Sequence, residues 1–143
     1  MIQQGLTNSF KQEMLQAGQN LATDTLKMAL YTAFADIGPL TTAYTATNEV
    51  TGTGYVAGGV AVTGATISTE TTGFNAGTVY VDFNDVSWPG ADFTARGALI
   101  YNVTRSNKSI AVLDFGSNKL FSSVNNTITM PVNSATNALI RFP

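Results

Sequence analysis

The chain has no cysteine and no histidine. Without cysteine there are no disulfides, no thiolate metal ligands and no thiol nucleophile. Without histidine the commonest general base and the commonest transition-metal ligand are gone as well. Charge is also scarce: Asp, Glu, Lys and Arg make up 11% of the residues, against about 25% in an ordinary soluble domain. The basic residues are scattered and the net charge is −2, so sequence-independent nucleic-acid binding, which needs clustered Lys and Arg, is not expected. No apolar run approaches the roughly 20 residues of a membrane span. The opening MIQQGLTNSFKQEML lacks the basic and apolar segments of a secretion signal. The expected setting is a cytoplasm, with no membrane and no nucleic acid as partner.

Thr, Ser, Asn and Gly supply the polarity that charge does not. At 143 residues the chain reads as one domain, 1–143, able to bury about 70% of its unfolded surface without a covalent staple. Its clearest unit is Phe93–Phe115. From Phe93 every second residue is small or apolar (Phe93, Ala95, Gly97, Leu99, Tyr101), with Thr94, Arg96 and Asn102 on the alternate side. That is the period of a half-buried strand. Ile110–Leu113 is an unbroken apolar run, expected to be buried on both faces. Polar Asn102–Ser109 reads as the connection between them. This hairpin is the expected centre of the fold.

Around it, Leu6–Leu21 reads as an N-terminal helix, with Thr7, Asn8 and Ser9 as N-cap candidates, Ser9 and Gln12 at capping-box spacing, and Phe10, Met14, Ala17 and Leu21 as one apolar stripe. Thr25–Ala33 reads as the first strand. The Gly/Thr-rich stretch 34–58 carries little periodic apolar content, and so long a loop in a small domain is expected to make contacts. Thr51–Gly64 is rich in glycine, yet its spacing is not G-x-G-x-x-G and Val60-Ala61-Val62 follows where a phosphate site needs a helix. Thr78–Val86 alternates cleanly, Thr127–Val132 is a strand limited by Pro131, and Ala138–Phe142 is a terminal strand. Gly116–Asn118 reads as a turn. The expected fold is all-β: a β-sandwich or jelly-roll-like domain of about seven to eight short strands with one N-terminal helix.

Chemistry is hard to find. Asp82 and Asp85 have the start of a calcium-loop spacing without its Gly and bidentate Glu. No pair of carboxylates is placed for glycoside hydrolysis, and no G-x-S-x-G elbow occurs. No catalytic residue, cofactor or metal site is expected, and the chain is read as non-enzymatic. Arg96, within the apolar hairpin, needs an Asp partner or an outward position. Loop position and residue type make Tyr44, Asn48, Tyr55, Trp88, Arg96 and Arg105 the candidate partner contacts.

The strings TNSFKQEMLQ (Thr7–Gln16), DTLKMALYT (Asp24–Thr32), TTAYTATNEVTGTGYVAGG (Thr41–Gly59), ARGALIYN (Ala95–Asn102), NKSIAVLDFGSNK (Asn107–Lys119) and NALIRF (Asn137–Phe142) resemble those of a group of small tailed-bacteriophage virion structural proteins. The resemblance runs in order through nearly the whole chain. It implies a virion component of the capsid decoration, or cement, type. Such a protein would bind the outer capsid lattice, bridge major capsid subunits, stabilise the expanded head and self-associate as a dimer or trimer. It would be assembled in the host cytoplasm and reside on the capsid surface. A tail or neck (head–tail adaptor) protein is the alternative within the virion, and a carbohydrate- or receptor-binding module the alternative outside that class.

Overall fold

The computed structural model describes Met1–Pro143. Its elements, in chain order, are β1 (Gly5–Leu6), α1 (Asn8–Leu15), β2 (Leu26–Tyr31), β3 (Val60–Val62), β4 (Thr66–Thr69), β5 (Val79–Asp82), β6 (Val86–Ser87), β7 (Phe93–Asn102), β8 (Lys108–Phe121), β9 (Thr127–Ile128) and β10 (Ile140–Phe142). It is an all-β domain with one N-terminal helix, as its sequence leads one to expect. No helix is long and apolar enough to cross a membrane.

The β7–β8 hairpin is the centre of a five-stranded antiparallel sheet of order β1-β8-β7-β2-β3. Its turn places Ser106 and Asn107 at φ of 56° and 60°, left-handed values that short polar side chains tolerate best. Beyond Phe115 the hairpin departs from expectation. Instead of turning at Gly116–Asn118, β8 runs on to Phe121. Ala95 pairs with Lys119 but Gly97 pairs with Asp114, so the extra residues of β8 form a bulge. Gly116, at φ 74°, supplies the left-handed residue this bulge needs. The irregularity also shifts the phase of β7. Phe93 and Ala95 face the larger core, and so do Ala98 and Ile100, while Leu99 and Tyr101 face the opposite side. The unbroken alternation read from Phe93 to Tyr101 is therefore corrected: it reverses at Arg96–Gly97, where the pairing of β7 with β8 breaks register and β7 itself changes phase.

The second layer is two small sheets, β10-β5-β4 and β6-β9. The stretch Thr78–Val86, read as one strand, is divided between β5 and β6, and the strand expected over Thr127–Val132 is the two-residue β9. Val81, Val86 and Ile140 from this layer join Met28, Leu30, Ala98 and Ile100 of the large sheet in one cluster of 21 buried residues. That cluster is the sandwich interior. The other face of the large sheet is also covered. Ala29, Tyr31, Leu99, Tyr101 and Val112 pack there against Ile2, Ala35 and Ile37. Strand β2 is thus buried on both faces, which explains why LKMALY mixes apolar residues of both parities.

The helix is shorter than Leu6–Leu21. Of the three N-cap candidates Thr7 is the one used, without the Ser9 capping box: the Thr7 hydroxyl accepts from Phe10 N and donates to the Ser109 and Ile110 carbonyls. At the other end Gly18 N donates to Glu13 O and Ala17 N to Met14 O, with Ala17 at φ 55°. These are the paired bonds of a Schellman motif, and they stop the helix after two turns. Phe10 and Leu21 still reach the core, but Met14 and Ala17 are exposed and Glu13 is buried in their place.

Gly59 fixes the return of the chain onto the sheet. At φ 70°, a Cβ there would lie 1.8 Å from the Met28 carbonyl oxygen. Gly73, at φ 72°, has nothing within 4 Å of the same position. Gly73→Ala should therefore cost only the left-handed backbone penalty of about 1 kcal/mol. Gly59→Ala should cost about 3 kcal/mol or more, because backbone must move. Urea midpoints of the two variants measure the difference.

Candidate interaction surface

Between β2 and β3 the chain runs from Thr32 to Gly59 without a regular strand. One charged residue occurs from Ile37 to Thr69, and it is Glu49. Its side chain is the tie that holds this segment to the sheet. Oε2 accepts from the Tyr44 hydroxyl at 2.6 Å, and Oε1 accepts from the Tyr55 hydroxyl at 2.6 Å and from Gly58 N at 2.7 Å. Glu49 is buried, and its bonds come from hydroxyls and backbone with no ion pair. The tyrosines then reach the sheet. Tyr55 Oη accepts from Leu30 N of β2, and Tyr101 of β7 donates to Gly58 O at 2.7 Å. Tyr31 donates to Thr45 O, and the Tyr44 ring stacks on that of Tyr101 at 4.8 Å. A buried carboxylate without a cation is tolerable only with its lone pairs filled by donors, and here donors converge from both the segment and the sheet.

Burial first, and the Glu49 carboxylate second, push the phenols of Tyr31, Tyr44, Tyr55 and Tyr101 above the ordinary value of 10.0. All four stay protonated donors through neutral pH.

The candidate contact residues are spread over the molecule. Tyr44 and Tyr55 meet at Glu49. Asn48 lies beside them at φ 61°, its amide donating to Phe34 O and its own carbonyl accepting from Thr32 N. Trp88 is elsewhere and wholly buried, edge-on to Phe121 at 5.5 Å, so its ring is a core element of this chain and offers no contact surface. Arg96 is paired with Asp114, a carboxylate held low chiefly by the Gly116 N–H and also by that guanidinium. Arg105 binds Asp24 at 2.9 Å. It belongs to a polar chain in which Lys108 meets Glu13, Glu13 meets Gln19, and Asn102 joins Gln19 to Asp24. That chain ties the helix and its following turn to the end of the central hairpin. Asp24 is held at about 2, chiefly by the hydrogen bond from Arg105 against the cost of burial.

What composition did not reveal is how much apolar surface the loops present. Phe34 (84% exposed), Leu40 (84%) and Val56 (72%) project from the segment that Glu49 ties down. Phe74, Val124 and Leu15 are fully or almost fully exposed at other loops and at the helix end. No group of three or more acidic, Cys or His side chains is close enough to hold a metal ion. The largest surface depression, about 490 Å³, is lined by Gln3, Asp36, Leu40, Thr41 and Thr42 among others, and Asp36 there binds the terminal amine of Met1. No protein-family model, curated protein or solved structure matches this chain.

Two predictions come from the tie. Tyr55→Phe removes a donor to Glu49 and the acceptor of Leu30 N, so it should destabilise the fold by about 1–3 kcal/mol in urea denaturation. The second concerns pH. Unfolded phenols ionise near 10.0 and the folded ones higher, so above that pH the unfolded chain binds fewer protons and stability falls. Asp24 works in the opposite sense: its contribution is present above 3.8 and lost as pH falls toward about 2. Melting temperature should be flat between these limits and drop outside both; a steady decline across neutral pH would contradict it.

Proposed function

We propose that this chain is a non-enzymatic structural subunit of a tailed-phage virion, and within the virion a capsid decoration protein. It binds the outer face of the expanded head lattice, bridges major capsid subunits and stabilises the shell. The observation that carries this reading is the placement of Phe34, Leu40 and Val56, large apolar side chains held out into solvent by a segment that is itself fixed to the sheet. A soluble chain that stayed alone would gain by burying them, since apolar area is worth about 25 cal/mol per Å² removed from water. Their support is rigid, so little ordering entropy is lost when they dock.

Part of the charge is already neutralised within the chain and does not oppose such docking. Arg96, Arg105 and Lys108 are already in ion pairs within the chain. The remaining surface is largely hydroxyl and amide, which suits close approach to a neighbour without desolvating ions. A ligand that binds the assembled shell and not its free subunits stabilises the shell by mass action, by about 2.7 kcal/mol per site at a hundredfold excess over Kd. The resemblance in the strings quoted above supports the same class of protein.

The test is abundance in purified particles, followed by binding to expanded shells. A copy number comparable to that of the major capsid protein, or a simple large fraction of it, is expected. Phe34→Asp with Leu40→Asp should abolish shell binding and leave the melt of the isolated protein nearly unchanged, since both side chains are exposed. A copy number of one ring per particle would replace capsid decoration with a neck or tail adaptor.

A further inference from the structure

We propose that the free edge of β4 is a self-association site, at which β4 pairs antiparallel with β4 of a second copy. The inference does not depend on where in a virion, or whether in one, the protein resides.

The hydrogen-bond register decides which backbone groups are free. Strand β4 pairs with β5 through Thr66–Asp82, Ile67–Val81, Ser68–Tyr80 and Thr69–Val79. Glu70 N donates to Thr78 O at 2.9 Å in the same register. In an antiparallel ladder the bonded pairs alternate, so Thr66, Ser68 and Glu70 direct their main-chain groups at β5. Ile67 and Thr69 direct theirs outward. No strand lies on that side, because β4 ends the sheet.

Edge strands are ordinarily blunted by Lys, Pro, bulges or short length. Thr66-Ile67-Ser68-Thr69 carries no charge and no proline, and its register is unbroken. The other edges are better guarded. Strand β1 has two residues and β3 has three, while β10 carries Arg141 and is followed at once by Pro143.

The side chains point to the same conclusion. One cross-strand row of this sheet runs Ile140, Val81, Ile67. Ile140 is 1% exposed and Val81 4%, but Ile67 is 51% exposed. The row stops where the sheet stops. A further strand would continue it and cover Ile67.

A second copy of β4 satisfies these requirements by symmetry. With a two-fold axis through the Ser68–Ser68 position, Ile67 of each copy faces Thr69 of the other, and each such pair exchanges both main-chain bonds. The axis is perpendicular to the sheet, so the apolar faces of both copies stay on one side. The strand is uncharged, so like charges do not meet across the axis. The result is one continuous six-stranded sheet built from the two three-stranded ones, with the closed symmetry of an isologous dimer.

Sedimentation equilibrium of the purified full chain tests this, alongside Thr69→Pro and Ile67→Lys. Thr69→Pro removes an outward N–H and no bond to β5, and Ile67→Lys places a charge on each side of the axis, opposite Thr69 of the other copy. A concentration-dependent wild-type dimer is expected, weakened at least about tenfold in both variants. Hydrogen exchange of the wild type covers the case in which a variant fails to fold. The Ile67 and Thr69 amides should be protected at high protein concentration and lose that protection on dilution. A wild type that stays monomeric, a dimer indifferent to both variants, or amides protected only when capsid shells are added would overturn the proposal.

Discussion

The structure depends on one carboxylate. Glu49 sits in a stretch with no other charge, is buried without a cation, and is filled by two phenols and a backbone amide. Removing charge from water is costly, and an interior acid with an unfilled oxygen would expel itself or force the segment open. Here the same bonds that satisfy the acid also fasten a long irregular segment to β2 and β7 through Tyr55 and Tyr101. The segment in turn covers the second face of the large sheet with Ala35 and Ile37. A sheet that would otherwise expose Leu99 and Val112 is closed by chain that has no strand of its own.

This arrangement changes what the segment can do. A long Gly/Thr-rich stretch reads naturally as an arm that orders on a neighbour. Fixed through Glu49, it is instead a mount, from which Phe34, Leu40 and Val56 are presented in set positions. Part of the remaining charge is used in a similar inward way. Lys108, Glu13, Asp24 and Arg105 hold the helix and the central hairpin together through Gln19 and Asn102. Lys11, Lys27 and Lys119 are then the basic side chains without a bonded partner. A surface so depleted of charge is fit for adhesion, and the cost is exposure of unguarded elements such as the β4 edge.

Much of the fold was legible because it rests on local periodicity. The Phe93–Phe115 hairpin, the Leu26–Tyr31 strand and the Val60–Val62 run all follow from apolar spacing and turn residues. What was not legible rests on contacts between distant positions. The phase reversal in β7 falls where its pairing with β8, some twenty positions away in the chain, breaks register. The helix stops early because Gly18 and Ala17 cap it, although the spacing of Phe10, Met14, Ala17 and Leu21 could have continued it. Among the candidate contacts, Tyr44 and Tyr55 were found by residue type and loop position, but Glu49 was not. The one sign of it was its isolation as a charge among tyrosines. Trp88 was misplaced because a lone aromatic before Pro89-Gly90 looks like a turn residue, and its burial depends on Phe121 across the core.

The central claim, that the segment between β2 and β3 is a fixed mount, is tested most directly by native-state hydrogen exchange at neutral pH. The amides of Gly58, Val50 and Thr32 donate to Glu49, Leu30 and Asn48 within this tie, while that of Leu99 lies in the central sheet. The account predicts that all of them exchange together, through global unfolding alone. If Gly58, Val50 and Thr32 exchange orders of magnitude faster than Leu99 in an otherwise folded protein, the segment is a mobile arm and the account is wrong.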